Sequence, residues 1–149
     1  MNIFYKFSHS ANKCYTILLG KVTGKTKFSV KATRALDTLI KMNPSSGLYP
    51  LYIRNEETPP RFASEEISLG AMGDSFYEYL LKVWIQGGKR EKSYRLSYDK
   101  AIDGLVSTLL KKSSIDGLTY VAKISEGKSL QHKMDHLVCF LPGTVIVLD

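Results

Sequence analysis

The chain has 149 residues, 44% of them apolar and 23% charged, with 21 basic against 14 acidic side chains and a formal net charge of +7. That is the size of one domain and an ordinary globular composition, which excludes a disordered or collagen-like chain. The two cysteines, Cys14 and Cys139, are too few for a disulfide-built scaffold and lack the Cys/His spacing of a zinc site.

The N-terminus, Met1-Asn2-Ile3-Phe4-Tyr5-Lys6-Phe7, has an apolar run far shorter than the central region of a signal peptide. No later segment approaches the roughly 20 apolar residues of a membrane span. As written the chain carries no targeting signal, so the expectation is either a cytosolic protein or a natural N-terminus that lies upstream. Residues 16–22 are apolar, and Thr23-Gly24-Lys25 reads as a helix stop and turn. Phe28, Ala32, Ala35, Leu36, Leu39 and Ile40 recur at helical spacing, which predicts an amphipathic helix over 27–42 ended by Pro44 and Gly47. These two helices make a hairpin.

Residues 48–53 and 66–69 read as short strands flanking a polar loop in which Thr58-Pro59-Pro60 forbids helix. A helix over 74–86 places Tyr77, Leu80, Leu81 and Trp84 on one side and stops at Gly87-Gly88. Another over 92–112 carries Ile102, Leu105, Val106, Leu109 and Leu110 on one face. Residues 118–122 read as a strand, paired across Glu126-Gly127 with a return near Leu130. A last helix begins near Asp135 and is cut short by Pro142-Gly143. The order is helix pair, hairpin, helix pair, hairpin, helix, with a repeat near seventy residues and the hairpins on one side. Helix pairs of this kind bury their apolar stripes against neighbouring pairs, so the pattern predicts an arc of an α/α barrel.

The basic residues are scattered, and no RNA-binding or zinc-finger pattern accompanies them, so nucleic acid is not the expected partner. Asp74 follows Gly73 at a helix start, where a carboxylate suits the unpaired amides and the positive end of the dipole. Capping is the commoner meaning of an Asp there; a reactive acid at a cavity mouth is the other. Glu78, one turn on, shares its face, and solvation is its simpler role. Asp135 and His136 stand side by side before an apolar run, where a carboxylate can fix an imidazole tautomer and the pair can bond a hydroxyl, or merely cap a turn. Tyr49, Tyr52, Phe62, Phe76, Tyr77, Tyr79 and Trp84 supply either core or the flat platforms of a sugar cleft. No Walker loop, dinucleotide turn, nucleophile elbow or kinase signature is present.

Two blocks carry a resemblance. The stretch Gly70-Ala71-Met72-Gly73-Asp74-Ser75-Phe76-Tyr77-Glu78-Tyr79-Leu80-Leu81-Lys82, with its flanks, and Met134-Asp135-His136-Leu137-Val138-Cys139-Phe140-Leu141-Pro142-Gly143 resemble the class I α-1,2-mannosidases, glycoside hydrolase family 47. The likeness extends to Leu19–Leu51 and so spans most of the chain. It implies an arc of an (α/α)7 toroid, mainly α with short β-hairpins on one side, and an inverting glycosidase that trims terminal α-1,2-mannose from N-linked high-mannose glycans. In that family Asp74 corresponds to one of three catalytic carboxylates, Asp135 and His136 to sugar-cleft residues, and Cys139 to half of a structural disulfide whose partner this sequence lacks. Met72 stands where endoplasmic-reticulum types carry a glycan-contacting arginine and Golgi types an apolar residue, so branch preference leans Golgi-like.

The resemblance also implies a calcium ion held by a threonine beyond residue 149, and a membrane-anchored parent in the endoplasmic reticulum or Golgi lumen. The helix leading into Thr23-Gly24 departs from the family, with Cys14-Tyr15-Thr16-Ile17-Leu18 where the family carries glutamates. Residues 1–18 are therefore set apart as an atypical segment and 19–149 as part of a catalytic domain. On this reading the chain is a fragment that is inactive alone. The alternatives are a non-catalytic homologue that binds mannose glycans in glycoprotein quality control, and a basic helical module with salt-sensitive binding to anionic surfaces.

Overall fold

A computed structural model describes residues 4–6, 11–54 and 56–146. In chain order the elements are β1 (Phe4–Lys6), α1 (Ala11–Val22), α2 (Thr26–Met42), β2 (Tyr52–Arg54), β3 (Arg61–Phe62), α3 (Asp74–Gln86), α4 (Lys92–Gly104), β4 (Leu110–Lys112), β5 (Thr119–Val121), β6 (Lys123–Ile124), β7 (Leu130–Gln131) and α5 (Leu141–Ile146). A π-turn over Leu105–Leu109 follows α4, and a 3-10 helix over His136–Phe140 leads into α5. Two antiparallel helix pairs, α1 with α2 and α3 with α4, carry the packing, and α1 also lies against α3. The strands form three small antiparallel sheets, β1-β2-β3, β4-β5 and β6-β7.

The helices end where their local chemistry changes. α1 stops as the Thr23 hydroxyl donates to the Leu19 carbonyl at 2.6 Å and Gly24 takes a φ of +67°. α2 is closed by Asn43, left-handed at φ 36°, whose amide donates to the Ile40 carbonyl. Ala32 and Leu36 face inward and meet Leu48, Leu69, Phe76, Leu80 and Leu109 in one continuous core. In α3 the buried residues run Phe76, Tyr77, Tyr79, Leu80, Leu81 and Val83, so the helix is enclosed on most of its circumference.

One buried side chain fixes how the 48–51 segment meets α3. The Tyr77 hydroxyl accepts from the Tyr49 amide at 2.9 Å and donates to the Tyr49 carbonyl at 3.4 Å. Burial pushes the Tyr77 phenol far above its usual range, so it stays protonated and keeps both bonds. The Tyr49 ring meets Phe76 at 4.7 Å and Tyr77 at 6.4 Å between ring centres. The turn before α3 approaches equally closely: a Cβ on Gly73 would overlap the Ser68 carbonyl oxygen and stand 3.1 Å from Leu51 Cδ2, so only glycine fits.

Several sequence expectations are corrected. Residues 48–51 are not a strand. Leu48, Tyr49 and Leu51 are all buried without alternation, Pro50 has no amide to give, and their amides go to Ser46 Oγ, Tyr77 Oη and the Glu66 carbonyl. The ladder begins only at Tyr52, with partners in β1 and β3. Over 66–69 pairing shrinks to one bridge, Ile67 with Ile124.

The helix read over 92–112 ends at Gly104. Leu105 and Leu109 are buried as the pattern requires, but Val106 is 54% exposed, because the backbone widens into the π-turn and Leu110–Lys112 pair with Thr119–Val121. Pro142-Gly143 does not cut the last helix short. Pro142 lies in the first turn of α5, where a missing amide costs little. Of the segment 1–18 set apart above, residues 1–3 and 7–10 lie outside the described residues, and α1 runs unbroken across residue 18.

Replacing Tyr77 by Phe keeps the ring and removes both hydrogen bonds from its hydroxyl to the Tyr49 backbone inside the core. Urea unfolding should show a loss of about 1–3 kcal/mol, and an unchanged midpoint would mean that the two bonds contribute nothing net.

Candidate functional site

The site is built on the turn Gly70–Gly73. The Gly70 carbonyl accepts from both Gly73 and Asp74, at 3.0 and 2.9 Å, which closes the turn and starts α3 in one step. The Gly70 amide donates to the buried Ser68 hydroxyl at 3.1 Å. Met72, at the crest, has φ 73°. A side chain in that left-handed region costs on the order of 1 kcal/mol, and the Tyr52 hydroxyl reaches Met72 Sδ at 3.7 Å. A strained, held residue two positions before an acid is the kind of outlier that functional turns carry.

Asp74 opens α3. Its Oδ1 accepts from the Ser75 amide at 2.8 Å, and the side chain is half-buried. One helical turn on, Glu78 Oε1 pairs with Lys82 Nζ at 2.6 Å, so this acid is part of an ion pair, where the sequence had suggested plain solvation. That hydrogen bond from Lys82 to Glu78 raises the lysine's affinity for its proton.

The second block folds onto the first. Asp135 caps the 3-10 helix through Oδ1, which accepts from the Leu137 amide at 2.9 Å, and its Oδ2 accepts from the Ala71 amide at 3.4 Å. A Cβ on Gly70 would stand 2.5 Å from Asp135 Cβ, so the glycine is what lets the two segments touch. His136 Nδ1 lies 3.5 Å from Asp135 Oδ1, and its imidazole is 90% exposed. The Leu137 amide foremost, then the Ala71 amide and the neighbouring His136, hold the Asp135 carboxyl below its usual range. It is an anion that fastens a turn, and both its oxygens are occupied.

Met72, Asp74 and Asp135 are thus assembled on one turn from positions some sixty residues apart, with His136 beside them. Cys139 is not brought to this point: its thiol is exposed and, among the described residues, both cysteines are free. Cys14 Sγ donates to Gln86 Oε1 at 3.5 Å. The role of Gly70 as the seat of Asp135 escaped the sequence reading, which saw a glycine-rich turn before a helix. A cavity of about 580 Å³ lies elsewhere, lined among others by Leu48, Pro50, Phe62, Ile67 and Ile124. Among the described residues no group of three or more His, Cys, Asp or Glu side chains is placed to hold a metal ion, and no helix is long and apolar enough to cross a membrane.

Residues 16–148 match the sequence model of glycosyl hydrolase family 47. The chain is 43% identical over 129 residues to a mannosyl-oligosaccharide 1,2-alpha-mannosidase of Arabidopsis thaliana, the match covering 85% of this chain and 22% of that protein. It is 40% identical over 131 residues to the endoplasmic reticulum mannosyl-oligosaccharide 1,2-alpha-mannosidase of Mus musculus, covering 85% and 19%. The solved alpha-1,2-mannosidase from Trichoderma reesei superposes with a TM-score of 0.77 at 23% identity, over 87% of this chain and 27% of that one. At that identity the likeness speaks for the fold, and it bears out the expected class: mainly α, an arc of an (α/α)7 barrel with short antiparallel strand pairs. The chain spans about a fifth of the length of the curated relatives it matches.

Replacing Asp135 by Ala removes the cap on Leu137 and the tie to Ala71, and should cost roughly 1 kcal/mol of stability at neutral pH. The sign with pH follows from the lowered carboxyl: its contribution is complete above the ordinary carboxylate range and fades as pH falls through the folded-state value. Unfolding curves of the two proteins should therefore converge on acidification. A gap that stays constant or widens would contradict this assignment.

Proposed function

The chain belongs to glycosyl hydrolase family 47, and from that premise we propose that its parent protein releases terminal α-1,2-linked mannose from N-linked high-mannose glycans, with Asp74 as one of its catalytic carboxylates. The observation that carries this reading is the assembled turn: a half-buried acid at the start of α3, with Asp135 fastened to the Ala71 amide of the turn before it and His136 beside Asp135. Inverting glycosidases need an acid that protonates the leaving oxygen and a base that activates water, on carboxyls about 6.5–9.5 Å apart. Asp135 is unsuited to either task, because its two oxygens are bound to backbone amides and its proton affinity is lowered. Its part is to position the turn. His136, exposed beside it, is free to bond a sugar hydroxyl.

Met72 projects from the strained crest beside Asp74, and its apolar side chain supports a Golgi-type rather than a reticulum-type preference among glycan branches. High-mannose N-glycans as substrate support the lumen of the endoplasmic reticulum or Golgi as the place of action and a membrane-anchored parent. Cys139, with its thiol exposed, is suited to pair with a cysteine from another part of the parent. The calcium ion that the family resemblance implies finds no cradle among the described residues, and no step is routed through it.

In the complete protein, Asp74→Asn should lower mannose release about 10²- to 10⁴-fold while glycan affinity stays within a few-fold. Release at the parent's rate would return Asp74 to a purely helix-starting role. The 149-residue chain by itself should release no mannose from a high-mannose glycan, since one carboxylate cannot act as acid and base in the same step. Release from it that Asp74→Asn abolishes would show that a second competent carboxylate is already present.

A further inference from the structure

Basic side chains occur along the whole chain, but acidic ones do not. None of the 14 Asp and Glu residues precedes Asp37, whereas seven of the 21 Lys and Arg residues do. The remainder of the chain is electrically balanced, so the formal charge of +7 lies wholly ahead of Asp37. In the fold most of that stretch is the pair α1 and α2. Helix α1 contains no acid, and the one acid in α2, Asp37, is turned to α4, where its Oδ1 accepts from the Tyr94 hydroxyl at 2.7 Å.

Helix α1 packs on α2 and α3, and α4 packs on α2 and α3. The four helices thus form a two-by-two array, which leaves one flank of α1 and α2 turned away from α3 and α4. On α1, Tyr15, Leu18, Leu19 and Val22 are 68, 45, 47 and 77% exposed. They stand at i, i+3, i+4 and i+7, the spacing of a single helix face, while Ile17 is buried and Gly20 lies against Ser29 of α2. On α2, Lys27, Lys31, Arg34 and Lys41 are exposed at i, i+4, i+7 and i+14, away from the buried Ala32 and Leu36. An apolar strip about 10 Å long therefore stands on the helix beside a basic strip about 21 Å long.

Scattered apolar residues on a surface are ordinary, but a contiguous row rimmed by polar groups marks an interaction face. Its charge decides what covers it. A second copy of this chain would bring the same cations against these ones, and like charges facing each other oppose association. A covering helix would have to supply an acid for each cation that it buried. A bilayer rich in anionic lipid needs no such matching, because its charge is spread laterally and its apolar layer begins just beneath. Basic helices with an apolar, aromatic-bearing face lie at that boundary, and clusters of four or more Lys and Arg hold such headgroups. Arg34 and Lys41 also line a hollow of about 580 Å³ with Ser29, Thr33, Asp37 and Thr38, which offers a headgroup cations and hydroxyls together.

We infer that this flank is a docking surface for an anionic lipid bilayer. Tyr15, Leu18, Leu19 and Val22 enter the boundary between headgroups and acyl chains, and Lys27, Lys31, Arg34 and Lys41 hold the lipid phosphates and carboxylates. The inference goes beyond the mannosidase reading and does not rest on it.

The test is co-sedimentation of the 149-residue chain with phosphatidylcholine vesicles, with and without phosphatidylserine, at low and high salt. Circular dichroism serves as the control for folding. The chain should bind the phosphatidylserine vesicles, bind phosphatidylcholine alone far less, and be released by salt. Lys31→Gln or Arg34→Gln should each weaken binding about fivefold, the scale of one cation at an anionic surface. Leu18→Gln with Leu19→Gln should weaken it about tenfold, and Lys112→Gln, outside this flank, should leave it unchanged. A chain that ignores the anionic vesicles at low salt overturns the inference. So does binding that the paired leucine substitutions leave intact, or that Lys112→Gln weakens as much as Lys31→Gln. Self-association that the leucine substitutions abolish, without vesicle binding, would give the face to a second copy. Retention on polyglutamate without vesicle binding would give it to an acidic polypeptide.

Discussion

The position of α3 rests on one enclosed contact, the Tyr77 hydroxyl bonded to both backbone groups of Tyr49. A polar group this deep in an apolar core is tolerated only when it is fully bonded, so the 48–51 segment cannot shift along α3 without breaking two hydrogen bonds at once. Gly73 adds a steric stop, because its backbone lies against the Ser68 carbonyl and the Leu51 side chain. Together they set the height at which α3 begins and the direction of its exposed face. Asp74, Glu78 and Lys82 inherit their placement from that.

The site grows from this start by two backbone interactions that do unlike work. The Gly70 carbonyl closes the turn from within, and the Asp135 carboxylate clamps it from outside. The clamp is electrostatically favoured, since a carboxylate that accepts from backbone amides gains most in its charged form. Met72 carries the strain of the crest. A turn so braced presents Asp74 in a constant orientation, which is what positioned acid or base chemistry requires.

Much of the fold was legible along the chain because helices of this type announce themselves by period and by punctuation. α3 runs over Asp74–Gln86 as read, from the glycine turn before it to Gly87-Gly88 after it. α2 matches within one residue, ended by Asn43 and Pro44. The misreadings fall where tertiary contacts outweigh local preference. Leu105, Val106, Leu109 and Leu110 keep a helical spacing, yet strand pairing with Thr119–Val121 draws the chain out of the helix. Leu48 to Leu51 look like a strand but satisfy their amides through a hydroxyl, a phenol and a distant carbonyl.

The sequence by itself determined the helix pairs, the glycine turn, the acid behind it and the family to which both blocks belong, because each is written in contiguous residues whose spacing or identity carries the meaning. Only the tertiary structure decided that Asp135 spends both oxygens on backbone amides, that Gly70 is bare to admit it, and that Glu78 pairs with Lys82. Those facts depend on how close separate segments come, and a linear pattern holds no record of distance between residues that meet only when the core is packed.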